Sequence, residues 1–199
     1  MSILDKVVAA VTPPETEAAR SKARAKARAA AEGNDWLARI VGHHEQIESA
    51  FAAVKTASDV TSRRAAQTEL AILLSAHANA EEAVIYPALI HFGHKSHGTA
   101  GYVEQAGAKA NLGGLEYLDP LSQEFLDKLE HIRGAVAHHV YEEENDRFLD
   151  LKKLSVTDQR RLTERYAEEF ERYMGSDPDS APMRANDISA AQLARSPVQ

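Results

Sequence analysis

Histidine and glutamate recur at a spacing of four residues in two separate parts of this 199-residue chain. The first pair is His77 and Glu81, within HANAE, and the second is His139 and Glu143, within HVYEE. Residues four apart on a helix lie on one face, so each pair can direct both side chains at a common point. Imidazole nitrogen and carboxylate oxygen are donors that iron, manganese and zinc accept. The two pairs therefore predict a metal site built from two helices.

These polar residues fall on the apolar stripes of helices that the hydrophobic pattern predicts. A lone core histidine or a single surface His–Glu pair would need no metal, but here two pairs and one further histidine interrupt inward stripes. A buried carboxylate without a partner is costly, and the same stripes offer few Lys or Arg to neutralise two of them. A bound cation would neutralise them, so the expected ligands are His44, His77, Glu81, His139 and Glu143.

Four helices must position these ligands, and we predict an all-α fold. It is an antiparallel up-down four-helix bundle over residues 36–154, because four one-sided helices bury their stripes most simply against one another. Pro87 is expected to bend or loosen the end of the second helix. A further helix is predicted over residues 155–174, outside the bundle, with Thr157 and Asp158 as cap candidates. The four stripes are Leu37, Ile40, His44, Ile47, Phe51 and Val54; Leu70, Leu73, His77, Glu81, Val84 and Ala88; Gly101, Glu104 or Gln105, Ala108, Leu112 and Leu115; and Leu126, Leu129, Ile132, Val136, His139, Glu143 and then Arg147 or Phe148.

The two ends of the chain are predicted to lie outside the bundle. Residues 1–35 form a leader, partly helical or disordered, in which basic residues from Arg20 to Arg28 stand at every second position. On a helix this alternation spreads charge around the whole surface, so we expect a solvated helix with no buried face. The alternative is a contact surface for an acidic partner or a membrane. Residues 175–199 are rich in Ser, Pro, Asp and Ala without periodicity, which predicts a disordered tail.

Composition narrows the possible functions. The chain has no cysteine, which excludes disulfides, zinc–thiolate sites and iron–sulfur clusters. Its net charge of -7 argues against broad nucleic-acid binding. No apolar run reaches the ~20 residues of a transmembrane helix, and the opening MSILDKVVAAV does not resemble a secretory signal. We therefore expect a cytoplasmic protein that binds neither nucleic acid nor membrane, and the sequence identifies no protein partner.

Three motifs resemble the signatures of bacterial haemerythrin HHE cation-binding domains. HEQIESAF, from His44, is similar to the first-helix signature, although that family usually has aspartate where His43 stands. HANAEEAVIYPAL, from His77, resembles the second-helix signature, and HHVYEEENDRF, from His138, resembles the fourth. The resemblance covers roughly residues 36–153. It implies a four-helix bundle with a non-haem diiron centre, two carboxylates that bridge the irons, and a role in binding oxygen, nitric oxide or iron.

The third helix departs from the pattern of that family. The family commonly has a histidine within a stretch resembling Glu-His-Ala-x-Ala-Lys, whereas residues 104–109 of this chain read EQAGAK. Gln105 stands at the histidine position, and Gly101 stands where a second histidine could lie. A glutamine amide is a poor ligand for iron beside imidazole, so we expect Gln105 to hydrogen-bond a water molecule or a neighbouring glutamate.

This departure leaves the second iron of such a centre short of ligands. The resemblance implies that one iron is held by His44 and His77 and that the other keeps only His139 among its imidazoles. We expect one or two iron ions, with the second site incomplete unless another donor or water fills it. The candidate donors are Glu104, His97 and Tyr102, and Glu48 is a further candidate beside His44, whereas His43, Glu82, His138, Glu142 and Glu144 are expected to lie beside the metal or in solvent.

The expected function is that of a non-haem iron protein that binds or senses a small ligand, such as oxygen or nitric oxide, or iron itself. One alternative is an enzyme, because an open iron site can decompose peroxide or oxidise substrates. Another is a bundle with a degenerate metal site that serves as a partner-binding module. The sequence contains no nucleotide-binding loop or nucleophile elbow, which favours a binding protein over an enzyme.

Overall fold

The computed structural model describes residues 15–175, and helices make up most of this range. The α-helices are α1 Glu17–Ala30, α2 Trp36–Thr56, α3 Val60–Ala80, α4 Tyr86–His91, α5 Lys95–Gly113, α6 Gln123–Glu142 and α7 Val156–Met174. Two π-helical turns, Glu81–Ile85 and Glu143–Arg147, follow α3 and α6, and two 3₁₀ turns cover Gly114–Tyr117 and Leu151–Lys153.

The predicted all-α fold is confirmed, since no strand occurs between residues 15 and 175. In the same range no helix has the length and apolar character needed to cross a membrane. The first part of the predicted leader, residues 1–14, and nearly all of the predicted tail, residues 176–199, lie outside the described part of the chain.

The helices α2, α3, α5 and α6 form the bundle and turn most of the predicted stripes inward. All six predicted positions of α2, from Leu37 to Val54, are buried. Leu73 on α3, a predicted stripe position, is only half-buried. Ala76 and Ala80 are buried although they lie off the predicted stripe, because α7 packs along α3 and covers a second face of it. Short connections between consecutive bundle helices favour antiparallel neighbours.

Side-chain caps determine where the helices begin. Asp35 accepts the backbone N–H of Ala38 at 2.9 Å at the start of α2. The cap of α7 is Ser155, whose Oγ accepts the N–H of Asp158 at 3.2 Å. The prediction of Thr157 or Asp158 as the cap was therefore wrong. A cap side chain accepts the backbone N–H of the residue three positions later, and here that pair is Ser155 and Asp158.

The N-terminal helix α1 packs against the bundle, which corrects the expectation of a solvated helix. Ala23 and Ala27, four residues apart, are buried against α2 and the second π-helical turn. Arg24 lies between them on the same side and binds the carboxylates of Glu48 and Glu144. Small alanines between the alternating basic residues provide the apolar face, and the acidic partner of the basic residues is the bundle of the same chain.

Candidate metal centre

Each His–Glu pair lies where an α-helix ends, and its glutamate begins a π-helical turn. His77 belongs to α3 and Glu81 opens the first π turn, while His139 belongs to α6 and Glu143 opens the second. Turns of this kind are frequent at functional sites. The first π turn is followed by Pro87, which lies in the first turn of α4, where proline is tolerated. The expected loosening near Pro87 thus takes the form of a π turn immediately before it.

Four of the expected ligands converge in the bundle interior. Donor atoms of His44, His77, Glu81 and Glu143 lie within 4.8 Å of one another, and all four residues are buried. Nε2 of His44 lies 3.4 Å from Oε2 of Glu143, and Nε2 of His77 lies 3.3 Å from Oε2 of Glu81. We call these four residues the metal cluster. Two imidazoles and two carboxylates from three helices form a donor set that suits iron or manganese.

Three atoms of the metal cluster are buried without a hydrogen-bond partner in the described part of the chain. They are Nε2 of His44, Oε1 of Glu81 and Oε2 of Glu143. Buried polar atoms in folded proteins are nearly always paired, and an unpaired one lowers stability. A cation among these atoms would satisfy all three, so the residues present fit a metal ion.

The electrostatics of the metal cluster lead to the same conclusion. Burial alone lowers the pKa of His44, but the nearby carboxylates of Glu143 and Glu144 raise that pKa to about 9. Burial and the charge of Glu143 raise the pKa of Glu81 to about 8. Burial works to raise the pKa of Glu143, yet the charge of His139 keeps it below its ordinary value. The raised pKa values favour a proton on His44 and on Glu81, and a bound cation would displace these protons.

His139 lies next to the metal cluster, on another oxygen of Glu143. Its Nε2 is 3.1 Å from Oε1 of Glu143 and 3.2 Å from the hydroxyl oxygen of Tyr86. Burial alone lowers the pKa of His139, but the charge of Glu143 and a hydrogen bond with Glu104 raise it to about 10. The structure thus brings all five expected ligands into one region and places four of them around one point.

Glu104, which the sequence offered as a candidate donor for the second iron, does not reach the metal cluster. Its carboxylate meets Nδ1 of His139 at 2.7 Å and accepts a hydrogen bond from Arg147 at 2.7 Å. Gln105, one residue further along α5, occupies the buried inward position instead. Glu104 consequently orients the imidazole of His139 from the outer nitrogen rather than contacting the cluster.

The other candidate donors also lie away from the cluster. Tyr102 donates its hydroxyl hydrogen to the backbone carbonyl of Glu82 at 2.6 Å. His97 stacks on His94, with ring centroids 5.9 Å apart. The flanking polar side chains have partners of their own, namely His43 with Tyr166, Glu48 with Arg24, Glu82 with Lys109, His138 with Glu15, Glu142 with Arg147 and Glu144 with His44.

Hydrogen bonds at their outer nitrogens orient the imidazoles of the cluster, and the two outer helices take part in them. Nδ1 of His44 meets Oε1 of Glu144 at 2.8 Å, and Arg24 of α1 binds that carboxylate at 3.0 Å. Nδ1 of His77 lies 3.2 Å from the hydroxyl of Tyr166 on α7. Contacts of this kind set the tautomer and orientation of a metal-binding imidazole. The sequence interpretation placed α1 and α7 outside the site and missed both Arg24 and Tyr166.

Tyr86 is a buried site residue that the sequence interpretation also missed. Its hydroxyl lies 2.9 Å from Oε1 of Glu143 and accepts a hydrogen bond from the amide of Gln105 at 2.6 Å. Gln105 also donates to Glu81, as the sequence led us to expect. In a π turn the backbone N–H of residue i+5 bonds to the carbonyl of residue i, so Tyr86 lies beneath Glu81 rather than rotated away from it. The available signal was the Tyr-Pro pair in HANAEEAVIYPAL.

Comparison with known proteins places the chain in a family. The chain matches a Nostoc sp. (strain PCC 7120) protein named DNA nickase at 33% identity over 97 residues, which cover 49% of this chain and only 27% of that relative. No solved structure matches the chain. The family model described as Hemerythrin HHE cation binding domain matches residues 37–151, which include the whole metal cluster. This chain therefore belongs to the haemerythrin HHE cation-binding domain family.

Proposed function

We propose that this protein binds iron at the metal cluster and uses the iron to bind or sense a small ligand such as oxygen or nitric oxide. The observation that carries the proposal is the set of three buried, unpartnered donor atoms on His44, Glu81 and Glu143. Family membership supports a cation at this place. The donor set of imidazole and carboxylate, without any thiolate, favours iron or manganese.

A small cavity beside the cluster supports a ligand of few atoms. Its volume is about 20 Å³, and His77, Gln105 and His139 form part of its wall. A space of this size admits roughly one water-sized molecule, whereas pockets for larger organic ligands measure about 300 Å³ or more. The remaining wall is mostly apolar and includes Ile47, Leu74, Ala108, Val136 and Val140.

Each group around the proposed iron site has a defined task. Iron, when bound, would supply a redox-active Lewis acid to which a small ligand could bind. Glu144 and Tyr166 hold the outer nitrogens of His44 and His77, so that Nε2 of each ring faces the cluster. The apolar cavity wall limits the access of bulk water to the position of a small ligand.

Metal loading of variants tests this proposal. His77→Ala and Glu81→Ala are expected to lose iron, measured as iron per chain after anaerobic loading with ferrous iron and removal of unbound metal. His131→Ala and Glu69→Ala are matched controls, because these residues are exposed on α6 and α3. Circular dichroism verifies that each variant is folded. Unchanged iron content in both cluster variants would contradict the assignment.

Optical and electron paramagnetic resonance spectra of the loaded protein then test the ligand. A change on addition of nitric oxide or oxygen, absent from His77→Ala, is the expected result. Iron uptake without any spectral response would restrict the function to iron binding. Sustained turnover of hydrogen peroxide by the loaded protein would instead favour the enzymatic alternative.

A further inference from the structure

Glu143 offers its two carboxylate oxygens to two different groups of donors. Oε2 lies 3.4 Å from Nε2 of His44, inside the metal cluster. Oε1 instead lies 2.9 Å from the hydroxyl oxygen of Tyr86 and 3.1 Å from Nε2 of His139. A carboxylate with donors on both oxygens can bridge two cations. The residues around Oε1 are therefore candidates for a second metal position.

The hydroxyl of Tyr86 lies at ligand spacing from the other donors of this second group. It is 3.2 Å from Oε2 of Glu81, 3.2 Å from Nε2 of His139 and 2.9 Å from Oε1 of Glu143. Nitrogen and oxygen atoms bound at about 2.0–2.2 Å to one ion, at right angles to each other, are about 3 Å apart. The phenol oxygen thus lies at the separation of a neighbouring ligand from two carboxylates and one imidazole, and Tyr86 is only 1% exposed.

The helix α5 is shaped to admit the phenol ring. A Cβ atom added at Gly101 would lie 2.6 Å from Cζ of Tyr86, so a histidine at this position would exclude the ring from its place. Gln105, one turn later, donates through its amide to the hydroxyl of Tyr86 and to the carboxylate of Glu81. Gly101 and Gln105 stand at the positions where the family can have histidine, and both therefore lie against Tyr86.

We propose that Tyr86 is the ligand that completes the second metal position implied by the family, together with His139, Glu81 and Glu143. The phenolate of Tyr86 takes the place of the imidazole that α5 does not supply. On binding, the phenol O–H bond breaks, the proton leaves to solvent, and the oxygen bonds to the metal without any change of oxidation state. Phenolate is a hard anionic donor, and tyrosine is among the protein ligands of iron. The inference rests on the proposed function, because the two ions share Glu81 and Glu143.

The decisive variant is Tyr86→Phe, which keeps the ring beside Gly101 and removes only the oxygen. Tyr102→Phe is the matched control, because Tyr102 packs edge-on against Tyr86 with ring centroids 5.2 Å apart but directs its hydroxyl to a backbone carbonyl. The wild type and both variants are loaded with ferrous iron, oxidised in air and freed of unbound metal. Iron per chain is measured together with the visible spectrum and the resonance Raman spectrum, which detect charge transfer from, and ring vibrations of, an iron-bound phenolate.

The wild type and Tyr102→Phe are expected to hold about two irons per chain and to show the phenolate band. Tyr86→Phe is expected to lose the band and to fall toward one iron per chain, since the metal cluster keeps all its ligands. A variant Tyr86→Phe with unchanged iron content and spectrum overturns the second site. A wild type with one iron and no phenolate band also overturns it and leaves the proposed function intact, whereas a wild type that takes up no iron contradicts the proposed function itself.

Discussion

The hydroxyl of Tyr166 lies 3.2 Å from Nδ1 of His77 and 2.9 Å from Nδ1 of His43. Tyr166 belongs to α7, which lies outside the four-helix bundle, and it connects the expected ligand His77 on α3 to His43 on α2. Tyr166 is fully buried, so water does not replace its hydroxyl.

Tyr166→Phe is expected to weaken metal binding while the fold is retained. Removal of a hydrogen bond that orients a metal-binding histidine typically lowers metal affinity by about 10–100-fold. The measurement is an iron titration, with the rise in Tm on metal addition as a second readout. Tyr173→Phe on the same helix is the control, because Tyr173 is only half-buried. Equal iron affinity in the two variants would show that Tyr166 does not position His77.

The contact of Arg24 with Glu144 links α1 to the metal cluster, and Arg24→Ala is expected to loosen α1. The guanidinium of Arg24 binds the carboxylates of both Glu48 and Glu144. In the variant, the buried carboxylate of Glu144 loses this partner, and little water is available to replace it. Hydrogen exchange of backbone amides in α1 is expected to become faster. Arg28→Ala is the control, because the Arg28–Glu45 pair is largely exposed and contributes little. Equal exchange in both variants would contradict a special role for Arg24.

Gly101 and Gly107 lie on the same helix and are expected to respond oppositely to alanine. A Cβ at Gly101 meets the ring of Tyr86 at 2.6 Å, so Gly101→Ala is expected to lower the free energy of unfolding by ~1–3 kcal/mol. A Cβ at Gly107 meets nothing within 4 Å, so Gly107→Ala is expected to raise it by up to ~1 kcal/mol through helix propensity. Urea denaturation of the metal-free protein measures both. A destabilising Gly107→Ala or a neutral Gly101→Ala would contradict the packing described for α5.

Asp35 makes a pH-dependent contribution to stability. Burial works to raise the pKa of Asp35, but its ion pair with Lys152 and its hydrogen bonds to backbone N–H groups lower that pKa below the ordinary 3.8. Because the pKa is lower in the folded state, the contribution is complete well above pH 3.8 and disappears as the pH falls through the folded-state pKa.

Asp35→Asn keeps an oxygen for capping α2 but removes the charge that Lys152 binds. The difference in unfolding free energy between the wild type and this variant is expected to be constant at neutral pH and to shrink at pH values below 3.8. Urea denaturation at a series of pH values measures it. A difference that stays constant into strong acid would exclude the ion pair as its source.

Hydrophobic period and residue type were sufficient to predict the fold class and to place the five expected ligands on buried helix faces. An α-helix that must bury one stripe carries every residue of that stripe inward, so His44, His77, Glu81 and Glu143 could meet only in the interior. Their chemistry then predicted a cation before any distance was known, because two carboxylates do not remain in a core without positive charge.

Tertiary structure decided which other groups surround that cluster. An α-helical register rotates Tyr86 away from Glu81, and only the π turn between them brings the phenol beneath the carboxylate; no propensity in the sequence specifies a π turn at that residue. Tyr166 reaches the imidazole of His77, and Arg24 reaches the carboxylate of Glu144, because α7 and α1 dock on the bundle. Docking depends on the whole packed surface rather than on the sequence of either helix. The direction of Glu104 likewise depends on Arg147 of another element, a partner that lies 43 positions away in the chain.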